Sequence, residues 1–505
     1  MIQSNELAPA STERTTLLVA PPGSTSSSRS MPLSQRKAKL VASKTQRFWQ
    51  LLALVTSTAL ITTLLYEMTP GAPDASAKSK LGPAHIRRDP KYPFARFFAT
   101  KTAYWDQRDG VESNQELLTA YENALLREDL QLRQSHLVVR HGVRYPTEDN
   151  IEDIQTLLAK VQQLPDAIPA WLHNYSLPYN VSMGGELGAA GVQEMHDLAH
   201  RMVKSMGHMD PVTYVSTKSH IRHTYASRTK KSAQAYVSKF FANPQDVELI
   251  EFPKGQDPLL RFFDSCPKYQ REVKKNASAI AQAADFERSP FMTKALVELT
   301  RALGLQNSTN IITTADVQAA FSACAFDYAL YGITHQWCAL MSESLVASMD
   351  YLDDLRAFYW LGAGYAINYE MAAVLLQDIF ASMHGRINET NNLHNVVDFA
   401  HAETTLPLMT LLGYTDTSVL KASANLTEIE GRDFRTSVDA PFGANVEFRL
   451  FQRKSNEDQY FVQVLVNEQE NEIPGCGDVY CDLAKVEHLW QAYLEDFDFA
   501  TRCTV

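Results

Sequence analysis

Apolar and polar positions change rhythm along this chain, and each change predicts an element. His136, Leu137, Val138 and Val139 form a short, almost unbroken apolar run of the kind a strand covered on both faces requires. Ile154, Leu157, Leu158, Val161 and Leu164 instead recur at helical spacing. Segments 247–252 (VELIEF), 395–400 (NVVDFA) and 461–466 (FVQVLV) read as further strands, and 292–304 and 343–384 as mostly helical. Such alternation predicts an α/β architecture, in which a long helical stretch over about 256–385 is a second lobe inserted between parts of the sheet domain.

Before Tyr92 the rhythm is different. Phe48 to Tyr66 carries no charged residue, and at about 1.5 Å per residue it just spans a hydrocarbon layer of about 30 Å. This predicts a single transmembrane helix over 48–66. Residues 1–47, rich in Ser, Thr and basic residues, read as a disordered tail; 67–91, with Pro70, Pro73, Pro83 and Pro90, read as a stalk; the folded domain is then 92–505. Arg36, Lys37, Lys39, Lys44 and Arg47 precede the apolar run, which predicts a cytosolic tail and a type II, single-pass protein with its folded domain luminal or extracellular, in an endomembrane, a vacuole or at the cell surface. N-glycosylation sequons at Asn174, Asn180, Asn276, Asn307, Asn388 and Asn425 all fall beyond that run. The alternative is a cleaved signal peptide ending near Ala75, Ser76 and Ala77, giving a secreted protein.

Charge and cysteines narrow the function classes. A net charge of −11 argues against a nucleic-acid binder, which needs a basic face to displace counterions, although a local basic pocket is compatible with it. The cysteines at 266, 324, 338, 476, 481 and 503 show no repeated zinc-ligand spacing, and their even number beyond an apolar segment predicts disulfides, of which Cys476 with Cys481 is the most local pairing.

The chemistry concentrates at Arg140-His141-Gly142-Val143-Arg144-Tyr145-Pro146-Thr147, directly after the 136–139 run and hence at the carboxyl end of a central strand, where open α/β sheets bind ligands. Phosphoryl transfer through a protein nucleophile needs a neutral imidazole nitrogen aimed at phosphorus and planar cations around the equatorial oxygens. Arginine suits the second task, because its fork stays charged and meets phosphate through paired hydrogen bonds. A basic loop at a strand end is the bland explanation, but RHGxRxP has odds of about 10⁻⁴ of arising somewhere in a chain of this length.

RHGVRYP resembles the signature of the histidine acid phosphatase family. That family usually carries a later His-Asp pair; here His401-Ala402-Glu403 stands instead, which is similar to the multiple inositol polyphosphate phosphatase branch. The likeness continues through Arg228 in an R-x-x-x-S-A segment, GGELGAAG (184–191), LRFFDSC (260–266) and VNEQENEIPGCG (466–477), and covers about 92–490. Val143 departs from the Thr or Ala common in that branch.

The resemblance implies a phosphoglycerate-mutase-like sheet domain with an inserted helical lobe. It implies that Arg140, Arg144, Arg228 and His401 hold the scissile phosphate, His141 attacks it, and Glu403 protonates the leaving oxygen, with no metal and no cofactor. It further implies inositol polyphosphates as substrates, phytate and 2,3-bisphosphoglycerate among them. Because residues i and i+2 share a face only in extended chain, the HAE triplet is expected to precede a helix capped by Thr404 or Thr405, with Pro407 in its first turn. Lys218, Arg222, Lys230 and Lys231 are expected mostly on a solvated face. The rival readings are a general or lipid-phosphate acid phosphatase and a tethered glycoprotein whose phosphatase domain only binds a partner.

Overall fold

Gln134 to Arg140 are buried without interruption, so this stretch lies in the middle of a sheet covered on both faces. The computed structural model describes residues 92–104, 129–164, 168–208, 210–306 and 311–505. Among them one eight-stranded sheet forms. Its strands are β1 (Leu130–Arg140), β2 (Ser219–His223), β3 (Leu249–Glu251), β4 (Asn395–Ala400), β5 (Asn445–Arg453), β6 (Asn456–Val466), β7 (Gln469–Glu470) and β8 (Cys481–Asp482). The order is β3-β2-β4-β1-β5-β6-β7, with β8 beside β6. From β3 to β1 the pairs are parallel; β5 and β6 add antiparallel strands at the other side.

The longer helices are α1 (Glu148–Gln162), α2 (Ala189–Ser205), α3 (Ser227–Phe240), α4 (Pro290–Ala302), α5 (Thr314–Tyr331), α6 (Glu343–Trp360), α7 (Ala373–Ile387) and α8 (Ala402–Leu412). Side chains alternate across β1. Leu137 and Val139 meet α2 and α3 through Met195, Leu198, Tyr236 and Phe240, while Val138 joins a core with Leu376, Ile379, Leu408 and Phe448. Between β3 and β4 the described chain is helical and carries no strand. There α4, α5 and α6 build their own core with α1, through Leu299, Phe321, Leu345, Leu352, Ile154 and Leu157. The last helix of this stretch, α7, leaves that core for the sheet. A helical lobe drawn over about 256–385 therefore takes in α7 and, from residues 260–279 and 367–373, further side chains that belong to the sheet's core.

Disulfides join Cys266 to Cys503, Cys324 to Cys338 and Cys476 to Cys481. The tail, the apolar segment 48–66, the stalk and Asn307 lie outside the described residues. Among the described residues no helix is long and apolar enough to cross a membrane. The asparagines of the other five sequons are exposed.

One basic residue departs from its expected place. Arg222 sits on β2, not on a solvated helix face, and donates to the fully buried Asp398 of β4 at 2.5 and 2.7 Å, with a further bond of 2.8 Å to Asp378. His136 of β1 meets the same Asp398 at 2.7 Å. Three neighbouring strands thus share one carboxylate. Burial alone would raise the Asp398 pKa, but the Arg222 charge and the bonds from His136 and Arg222 outweigh it and hold the group well below the usual carboxylate range. A depressed folded-state pKa contributes stability that is present above the unfolded value and lost as the medium is acidified. Asp398→Asn is expected to lower stability in urea unfolding by about 3 kcal/mol near neutral pH, the loss typical of breaking a buried ion pair. The gap between variant and parent should shrink progressively below about pH 4.

Candidate active site

Parallel register brings the two histidines together. Arg140 pairs with Ala400 at the carboxyl ends of β1 and β4, so the next residues, His141 and His401, emerge side by side with ring centroids 5.6 Å apart. The His141 amide donates to the Ala400 carbonyl at 3.1 Å. After His141 the chain turns over the start of α2, and the approach is close. A Cβ on Gly142 would lie 2.5 Å from the Gly191 carbonyl oxygen, and one on Gly191 would lie 2.1 Å from that of Val143. Glu194, buried on α2, clamps the turn by accepting from the Val143 amide at 2.7 Å and from the Tyr104 amide at 3.0 Å. Thr147 ends the motif as the N-cap of α1, its hydroxyl accepting from the Asn150 amide.

The second half of the site arrives on α8. The helix begins at Ala402, earlier than expected: His401 is its extended N-cap, Glu403 lies in the first turn, and Thr404 and Thr405 are internal. Both threonine amides bond the His401 carbonyl, at 3.0 and 3.1 Å, which starts the helix without a side-chain cap. Pro407 is inside the helix rather than in its first turn, where it cannot donate to the Glu403 carbonyl. The triplet therefore straddles a cap instead of preceding it.

All six sequence-predicted residues converge. His141, Arg140, Arg144, Arg228 and Glu403 line one cavity of about 560 Å³, whose wall also includes Lys101, Asp153, Asp353, Arg356 and Trp360. His401 stands behind them, fully buried, with Nδ1 3.4 Å from the Arg228 guanidinium. Arg140 is held by the carbonyls of Thr100 and Ala440, at 2.6 and 2.7 Å, and lies 4.5 Å from the Phe442 ring centroid. Arg144 donates to the Tyr145 carbonyl at 2.8 Å. Neutral partners position these cations and leave their charge open to an anion.

The same concentration of charge sets the titration of the site. Burial, then the neighbouring Arg228, lowers Arg144 to about 9; burial lowers Arg140 to about 10 despite Glu403. Both remain cationic at acidic and neutral pH. Burial followed by the surrounding arginines pushes His141 and His401 well below the usual imidazole value, so both rings are neutral. For Glu403 burial works upward, but its own backbone hydrogen bond, Lys274, Arg140 and Arg228 prevail and draw it below the usual glutamate value. Nδ1 of His141 lies 2.9 Å from the Gly142 carbonyl, which only accepts, so Nδ1 carries the proton and Nε2 a free lone pair.

Sequence reasoning missed two neighbours. Arg261, within LRFFDSC, reaches His401 Nε2 at 2.8 Å; the segment had been singled out, but no periodicity marks the arginine. Lys274 lies 4.3 Å from the Trp360 ring centroid at the cavity wall, in a helical stretch where a lysine looks like ordinary surface. No group of His, Cys, Asp or Glu among the described residues is arranged to hold a metal ion.

The family model described as histidine phosphatase superfamily (branch 2) matches residues 131–467. The chain belongs to that superfamily. It is a histidine acid phosphatase, an enzyme that cleaves phosphomonoesters. It is 29% identical over 406 residues to multiple inositol polyphosphate phosphatase 1 of Homo sapiens, covering 74% of this chain and 81% of that protein. Against the protein of the same name from Gallus gallus it is 30% identical over 397 residues, covering 74% and 84%. Among solved structures, the phytase from D. castellii superposes with a TM-score of 0.63 at 16% identity, over 74% of this chain and 82% of that one. Bifidobacterium longum multiple inositol polyphosphate phosphatase, in complex with inositol hexasulfate, gives 0.61 at 14% identity, over 79% and 98%.

Gly142→Ala tests the close approach. The added methyl collides with backbone, which cannot rotate aside, so the turn carrying His141 must shift. Turnover of an aryl phosphate is expected to fall about 10²-fold, the loss typical of a misplaced reacting group, while far-UV circular dichroism stays that of the parent.

Proposed function

We propose that this enzyme hydrolyses inositol polyphosphates, phytate included, through a phosphohistidine formed on His141. The observation that carries the reading is the charge around the nucleophile. Lys101, Arg140, Arg144, Arg228 and Arg356 line the cavity against Asp153, Asp353 and Glu403, five cations facing three carboxylates in a chain whose net charge is −11. A locally positive cleft in an acidic protein suits a small polyanion better than a nucleic acid or a neutral ester. The names of its relatives support the same substrate class. The proposal extends to 2,3-bisphosphoglycerate, and to a catalytic domain held beyond a membrane by segment 48–66.

In the proposed reaction, Arg140, Arg144, Arg228 and the His401 ring hold the scissile phosphate. The Nε2 lone pair of His141 attacks phosphorus, the bond from phosphorus to the leaving oxygen breaks, and Glu403 gives that oxygen its proton. Water then attacks the phosphohistidine and loses a proton to the Glu403 carboxylate as the phosphorus–nitrogen bond breaks. Free phosphate and the starting enzyme result. Its own backbone hydrogen bond, Lys274, Arg140 and Arg228 draw Glu403 downward, and a bound phosphate offsets the charge of these cations, so substrate itself raises the proton affinity of the acid.

Three measurements test this. Enzyme incubated with labelled inositol hexakisphosphate at acidic pH and quenched in alkali is expected to carry label on the His141 peptide, and His141→Ala to carry none. Label elsewhere would refute the nucleophile, and release of phosphate from aryl esters alone would refute the substrate class. Glu403→Gln is expected to slow inositol phosphate turnover by about 10²-fold or more, yet p-nitrophenyl phosphate far less, because nitrophenolate leaves without a proton. Last, the alkaline limb of kcat should lie at higher pH than that of kcat/KM, since only kcat reports the acid with phosphate bound.

A further inference from the structure

We propose that Lys274 sets the preference of the cleft for polyphosphates by holding a second phosphate of the substrate on the leaving-group side of Glu403. The inference rests on the reading of inositol polyphosphates as substrates. A monoester places its one phosphate beside His141. A polyphosphate brings further anions, and all of them sit on the leaving group, because the phosphoryl group that is transferred is the one at the nucleophile. A cation that meets them must therefore stand close to the acid that serves the leaving oxygen. Lys274 does. Among the charges acting on Glu403 it is the strongest, ahead of Arg140 and Arg228, whereas His141 and His401 feel chiefly Arg228, Arg140, Arg144 and Arg261. Trp360, on which the Lys274 side chain lies, lines the same cavity of about 560 Å³ as Glu403 and His141, so a distal phosphate in that cavity is within reach of both residues.

The other cations of the outer wall are already compensated. Lys101 donates to Asp353 at 2.6 Å, and Arg356 donates to the same carboxylate at 3.1 Å and pairs with Glu287. Lys274 is held differently. Its Nζ lies 4.3 Å from the Trp360 ring centroid, and none of the ion pairs formed among the described residues includes it. An aromatic face directs an ammonium without cancelling its charge, as Phe442 does for the Arg140 guanidinium. The main chain beneath it is anchored. Gln270–Lys274 forms one turn of π-helix, closed by the Lys275 amide on the Gln270 carbonyl at 3.0 Å, and Val273 is buried in the sheet's core. Only the lysine side chain is exposed, so it can swing from the indole onto an incoming anion while its base stays fixed.

The test uses the intact enzyme, with inorganic sulfate and inositol hexasulfate as competitive inhibitors of aryl phosphate hydrolysis. Sulfate can occupy only the place of the scissile phosphate, whereas the hexasulfate adds distal anions, so the ratio of their inhibition constants isolates the distal contacts. In Lys274→Gln the advantage of the hexasulfate over sulfate should shrink about tenfold, the cost of one hydrogen bond between charged groups, and KM for inositol hexakisphosphate should rise by a similar factor. Lys274→Arg, which keeps the charge, should retain most of that advantage. Lys274→Glu should reduce it about 10²-fold, since the charge changes by twice as much. If the parent enzyme releases no phosphate from inositol hexakisphosphate, the substrate reading fails and this proposal with it. If it does release phosphate, and Lys274→Gln weakens both inhibitors equally or neither, the lysine acts at the scissile phosphate or is ordinary surface, and only the assignment of Lys274 falls.

Discussion

Like charges have to be kept together in this cleft, and the rest of the structure follows from how that is done. Arg140, Arg144, Arg228 and Arg261 surround two imidazoles at the end of a buried sheet. Carboxylates would neutralise them and occupy the place of a phosphate. Arg140 and Arg144 instead donate to backbone carbonyls at Thr100, Ala440 and Tyr145 and lie over aromatic rings, contacts that fix direction without cancelling charge. Burial in a positive field lowers the proton affinity of Arg140, Arg144, Arg228 and both imidazoles. An arginine starts so far above neutrality that it stays a cation, whereas a histidine starts close to it and is discharged. A single environment thus yields a cationic cradle and a neutral imidazole within it.

The sheet makes that environment possible. Adjacent parallel strands end level, so two histidines far apart in sequence leave neighbouring strands at the same height. The turn after β1 then presses on α2 so closely that backbone meets backbone at Gly142 and Gly191. Behind the site, Asp398 gathers Arg222 and His136 from the strands on either side of its own. That is the opposite electrostatic solution, a fully compensated carboxylate where no ligand has to enter.

Much of this was legible in the chain. The RHGVRYPT motif is contiguous and follows an apolar run, so its place at a strand end could be read directly, and the strands at 395–400 and 461–466 announced themselves by valines and phenylalanines interrupted only by single polar residues. Arg228 and His401 were reachable only through family likeness, because tertiary folding rather than spacing brings them to His141. Where reading failed, local rules had yielded to tertiary ones. Arg222 looked like surface because charged residues usually are, but a buried partner reclaimed it from another strand. Helix α8 starts at Ala402 because the His401 carbonyl accepts from both threonine amides, so neither Thr404 nor Thr405 was needed as a cap. Arg261 was invisible because its meaning depends on a histidine with which it shares no local element.

The Cys266–Cys503 bridge ties the segment that carries Arg261 to the far end of the described chain, and the Lys268 amide adds a bond of 3.0 Å to the Cys503 carbonyl. It closes a covalent ring that holds His401 and Glu403 within it and leaves His141, Arg140, Arg144 and Arg228 outside. A single proteolytic nick anywhere inside that ring would open the circle without releasing a fragment. His401 and Glu403 would stay tethered to His141, so loss of an intact backbone and loss of an assembled site are separate events in this molecule.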